Sequence, residues 1–122
     1  MKKSIETTGH TKTTAAAWSV FVLTLFLLML IDRANAAEYQ VVIENHMFVP
    51  SQIEMKAGEK HRLTVINHDA TPEEFESYEL NREKIIAGSS KATIFLPPLD
   101  PGTYPFFGEF NEATAQGRVV VK

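Results

Sequence analysis

The chain has 122 residues, enough for one domain. It contains no cysteine, which excludes disulfide staples and any thiolate metal ligand. Its formal net charge is −3 and no basic patch is visible, which argues against a nucleic-acid partner.

The first 36 residues carry the pattern of an export signal. Lys2, Lys3 and Lys12 outnumber Glu6 in a basic leader. The apolar run Ala15–Ile31 follows, interrupted only by Ser19 and Thr24. Ala34 and Ala36 then occupy the small-residue positions of an A-x-A cleavage site, so a cut after Ala36 is expected. The competing reading is an uncleaved membrane anchor, for which a run of about 17 residues is near the lower limit. Residues 37–122 would form the mature domain, with thirteen acids against eight bases and a net charge of −5. That balance fits a cation ligand or a basic protein partner.

Short β segments separated by turn signals fill this domain. Residues 39–46 (YQVVIENH) are rich in β-branched side chains, and Ile53 and Met55 alternate in a second strand at 52–56. In residues 61–69 Leu63, Val65 and Asn67 point one way, and Arg62, Thr64 and Ile66 the other. His61 is expected on the surface of that strand, His68 in a turn and Met55 in the core. An extended start at 73–77 is favoured, followed by a loop or helical turn to residue 90. Further strands are expected at 91–96, 103–107 and 117–122, around a proline-rich corner at 97–102. Strands at this spacing without intervening helices predict an all-β sandwich of about seven strands.

The residues able to do chemistry are mostly carboxylates. On a strand, Glu74 and Glu76 project to one face while Glu73 shares the side of Phe75. Two carboxylates on one face, about 7 Å apart, repel unless a cation or base lies between them. Residues 108–117 gather Glu109, Asn111 and Glu112 in a loop before the last strand, and His46 and Met47 stand together at a strand end. No nucleophile elbow, no evident serine–histidine–aspartate arrangement and no glycine-rich phosphate loop is present. Glycoside hydrolysis by paired carboxylates needs a sugar cleft that so small a sandwich does not offer.

Four stretches together resemble the cupredoxin-like domain: FVPSQIEMKAG at 48–58, VINHD at 65–69, PPLDPGTYPFF at 97–107 and GRVVV at 117–121. The resemblance implies a Greek-key β-sandwich with a metal site at one end. There the asparagine-bearing strand end leads to one ligand, and the loop after the PGTYPF strand supplies the others. EEFES (73–77), EKII (83–86) and FFGEFNEATAQG (106–117) further resemble the periplasmic cupredoxin-like component of bacterial ferrous-iron uptake systems. That implies a periplasmic location, and a periplasmic iron-binding protein and membrane permease as partners. It also implies an iron or copper ion as the bound metal, with assistance to the oxidation of ferrous iron.

Two departures bear on the site. With no cysteine the chain is not a blue-copper protein, and Glu73 follows Pro72 where such proteins place a histidine. Asn111 stands where a histidine is expected in the close relatives. The ligand set expected on this basis is Glu73, Glu74, Glu76 and Glu109, with His46, Met47 and Glu112 as further candidates. No catalytic residue is assigned. The alternative is a metal-free docking module whose acidic face meets a basic partner.

Overall fold

The computed structural model describes residues 2–5, 9 and 36–122. The expected signal segment, and the anchor that competes with it, lie almost wholly outside the described residues. No helix among the described residues is long and apolar enough to cross a membrane. Residues 36–122 form a compact unit of their own.

Nine strands build it: β1 (Ala37–Glu44), β2 (Met47–Val49), β3 (Gln52–Met55), β4 (His61–Asn67), β5 (Glu73–Ser77), β6 (Arg82–Ile86), β7 (Ser90–Leu96), β8 (Gly102–Gly108) and β9 (Gln116–Val121). A 3-10 turn, Glu109–Asn111, joins β8 to the last loop. One sheet runs β2-β1-β4-β7 and the other β3-β9-β8-β5-β6, the two stacked as a sandwich. β1 pairs with β4 and β3 with β9 in parallel, and the remaining pairs are antiparallel.

The all-β sandwich is as expected, with two strands more than predicted. β2 is three residues long, too short to show alternation. β6 pairs back onto β5 where a loop or helical turn was expected. It lies at the sheet edge, with only Ile86 fully buried, so its sequence draws no apolar stripe.

Each strand turns one row of side chains inward. Leu63, Val65 and Asn67 are buried as their alternation requires, and Met55 is in the core. Three rings meet at the centre. Phe48 packs edge-on against Phe106 at 4.9 Å and against Phe75 at 6.1 Å, while Phe75 and Phe106 stack at 4.8 Å. Gly117 leaves room for this group, because a Cβ there would sit 2.4 Å from the Phe106 ring.

His61 corrects the expectation of a surface residue. It is 1% exposed, its Nε2 is 2.8 Å from the Lys56 carbonyl, and Tyr39 packs edge-on against its ring. The surface expectation rests on its place directly after the turn residue Lys60.

At one end of the sandwich, hydrogen bonds tie the loops together. The buried Asn67 donates from Nδ2 to the carbonyls of Thr71, Ile86 and Ala87, and accepts from the Asp69 N–H. Asn45 and His46 both adopt positive φ, as the two central residues of a tight hairpin turn between β1 and β2. The Asp69 carboxylate accepts from both of their N–H groups, at 2.8 and 2.9 Å. Thr114 donates to the His46 carbonyl from the 109–115 loop.

Candidate metal centre

β5 lies between β8 and β6 in its sheet. Its pleat sends Glu73 and Phe75 to the core side and Glu74 and Glu76 to the opposite face. Register does the rest. Phe75 pairs with Gly108 on β8, so Glu109, the next residue, comes alongside Glu74. Glu76 faces Glu83 directly across the β5–β6 pair.

One ligand atom from each of Glu74, Glu76 and Glu109 lies within 4.8 Å of the others. Glu74 is buried, Glu76 half-buried and Glu109 exposed. Like charges this close are unfavourable without a counter-charge. Glu74 and Glu76 accordingly hold their protons more tightly than usual. Glu74 is pushed up to about 7, first by the hydrogen bond it shares with Glu83, then by burial and by the charges of Glu109, Glu83 and Glu76. Glu76 is also raised, chiefly by its hydrogen bond to Glu109, then by burial and by the Glu109, Glu83 and Glu112 charges. The same negative field raises the Tyr78 phenol, with Glu76 as the leading cause.

A stability prediction follows. Glu74 titrates near 7 in the folded protein and at its ordinary 4.5 when unfolded. A raised value stabilises the fold below the ordinary value, and that contribution disappears as pH climbs through the raised one. The melting temperature of the metal-free protein is therefore expected to fall between about pH 5 and pH 8, and Glu74→Gln should flatten that fall. Calorimetry across this range checks it, and a rise in melting temperature would contradict it. Asp69 acts in the opposite sense. Its carboxyl is lowered, above all by the His46 N–H, so its contribution is lost only in acid, below the ordinary 3.8.

The other expected ligands lie elsewhere. Glu73 is 1% exposed and turned inward. Its Oε1 accepts from the Glu74 and Phe110 N–H groups at 3.0 and 2.9 Å, and its Oε2 from Asn111 Nδ2 at 2.7 Å. His46 and Met47 are exposed at the β1–β2 turn. Glu112 caps the 3-10 turn, close enough to act on Glu76 through its charge but outside the trio. Glu83 joins the acidic group without having been singled out from the sequence. Its place depends on the β5–β6 register, which the residues between those strands do not announce.

A thiolate copper centre does not fit these residues. No cysteine is present, and Gly108 at the end of β8 has no space for a side chain. A Cβ there would lie 2.6 Å from Glu73 Cδ and 2.7 Å from Ala115 Cβ. The carboxylate trio does fit a hard cation. Metal–oxygen bonds of roughly 2.0–2.6 Å place ligand oxygens about 3–5 Å apart around one ion, and the observed spacing is within that span.

Comparison with known proteins agrees with the architecture. A protein of Rickettsia prowazekii (strain Madrid E) is 45% identical over 87 residues, spanning 71% of this chain and 70% of that one. Auracyanin A, a blue copper protein of Chloroflexus aurantiacus, superposes with a TM-score of 0.62 at 11% identity, over 72% of this chain and all of its own. The metal-binding domain of the Cu(I)-exporting ATPase CopA of Streptococcus pneumoniae D39, with Cu(I), gives 0.59 at 20% identity over 70% and 84%. Amicyanin of Paracoccus versutus gives 0.55 at 19% identity over 73% and 83%. At such identities the three superpositions show the fold alone. The family model for the cupredoxin-like domain matches residues 15–121, and the chain belongs to that family.

Proposed function

We propose that this protein binds a transition-metal cation, iron or Cu²⁺, through Glu74, Glu76 and Glu109, and serves iron uptake in the periplasm. The observation that carries the proposal is the convergence of three carboxylates, their ligand atoms within 4.8 Å of one another, on one face of the β8–β5–β6 region. Copper in auracyanin A and in the CopA domain gives the fold a metal-binding precedent. The donor set differs in kind. Anionic oxygens suit hard ions and disfavour Cu(I), which prefers thiolate and thioether ligands.

The same donors favour Fe³⁺ over Fe²⁺, because the trivalent ion gains more from anionic oxygen. A site of this type makes oxidation of ferrous iron easier, the physical basis of a ferroxidase-type role. The iron is then cargo, received from or passed to a periplasmic iron-binding protein and a membrane permease.

Calorimetric titration with Cu²⁺, Fe²⁺ and Fe³⁺ tests the proposal. Saturable binding is expected, lost in the Glu74→Gln, Glu76→Gln double variant. No heat above background for all three ions would overturn it.

A second reading draws on the side chains beside the carboxylates. Tyr78 is 73% and Ile85 59% exposed, and Ile85 sits directly across from Glu74. Exposed apolar groups beside a cluster of acids suit a basic protein partner. The same double variant separates the two readings. Salt-dependent loss of partner binding without any metal would favour docking.

A further inference from the structure

Glu109 is exposed, and among the described residues its side chain hydrogen-bonds to Glu76, inside the acidic trio, and to no group of its own loop. Its position comes from its neighbours. On one side Gly108 lies against the Glu73 carboxyl, and its N–H donates to the Ala115 carbonyl at 2.9 Å. On the other side the Phe110 N–H donates to Glu73 Oε1, and the Asn111 side chain donates to Glu73 Oε2. The 3-10 turn has no cap from its own preceding residue, Gly108. A carboxylate from β5, 37 positions earlier than Phe110, satisfies the N–H of the turn's second residue instead. Asn111 in turn accepts from the Thr114 and Ala115 N–H groups, which closes the loop behind it.

We infer that Glu73 is a positioning residue, whose buried carboxylate hooks the Glu109–Asn111 turn and thereby carries Glu109 to Glu74 and Glu76. The inference rests on the reading of the trio as a cation site. It gives two adjacent glutamates opposite duties. Glu74 faces the cation, while Glu73, one residue earlier and so on the other face, ties down the loop that brings the third ligand. It also assigns Asn111 a role as the loop-side partner of that hook.

The test uses Cu²⁺ titration and amide hydrogen exchange on the whole protein. Glu73→Ala and Asn111→Ala should each weaken Cu²⁺ binding by about tenfold, the usual size for a group that orients a ligand. In a Glu109→Gln background the same changes should cost almost nothing more, because the ligand they position is already gone. Glu73→Gln keeps an acceptor for both backbone N–H groups, and with the Asn111 amide turned over its oxygen accepts from the new NH2, so most of the affinity should be retained. Exchange of the Phe110 amide should quicken in both alanine variants. If Glu73→Ala does not fold, Asn111→Ala carries the measurement, since it leaves the buried carboxylate in place.

Penalties that multiply with that of Glu109→Gln would overturn the inference. So would an unchanged Phe110 amide in the alanine variants. If the unaltered protein takes up none of Cu²⁺, Fe²⁺ and Fe³⁺, the cation reading fails, and the exchange data alone decide whether Glu73 holds the turn.

Discussion

Phe106→Ala is expected to cost about 3–5 kcal/mol, the usual price of an aromatic removed from a core. Phe106 is fully buried and touches both of the other central rings. The hole it would leave cannot be filled from Gly117, the residue that faces it across the β8–β9 pair and has no side chain. Domains of this size are stable by roughly 5–15 kcal/mol, so the variant sits near the limit of folding. A melting temperature lower by roughly 12–40 °C is expected, taking 4–8 °C per kcal/mol for a small domain. Phe106→Leu should recover much of the loss. A fall of only a few degrees for the alanine variant would show that the three rings do not form one packed unit. The effect reaches the acidic face, because β8 carries Phe106 and leads directly into Glu109.

Asn67→Ala should be nearly as damaging, for an unrelated reason. It leaves three carbonyls and one N–H without their partner, and of these the Ile86 carbonyl is the most deeply enclosed. Each buried polar group stranded in this way costs about 1–3 kcal/mol. Water can reach some of the four, so a total of roughly 2–4 kcal/mol is expected. Asn67→Asp separates the donor from the shape. It keeps the acceptor for the Asp69 N–H but turns a negative oxygen toward three carbonyls. Its instability at neutral pH should lessen in acid, where the new carboxyl gains a proton to donate. Chemical denaturation at pH 4.5 and pH 7.5 checks this. A loss equal at both values would mean that the amide donor is not what matters.

These residues show how far the sequence was legible. Alternation placed Leu63, Val65 and Asn67 inward, and it placed Glu73 and Phe75 opposite Glu74 and Glu76, as found. Such assignments need only the two-residue period of a strand. What alternation cannot supply is register between strands distant in sequence. The meeting of Glu109 with Glu74, and of Glu83 with Glu76, is set by pairings that only the folded sheet fixes. Nor does a residue's type reveal how its polar atoms are satisfied. Glu73 is expected as a ligand because it follows Pro72 where blue-copper proteins place a histidine, and residue type alone does not show which donors surround it. In the fold it is surrounded by donors. His61 shows the same blindness. It stands between two charged residues, and only its contacts with Tyr39 and the Lys56 carbonyl reveal that it is inside.

The place of β9 sets an order of events. It is the last of the nine strands to be made, yet it lies inside its sheet, between β3 and β8. Until residues 116–121 arrive, β3 has no neighbour in that sheet and β8 keeps one edge bare. The earlier strands can form their own pairs, but the second layer cannot close. The second sheet is therefore complete only when its final strand is in place.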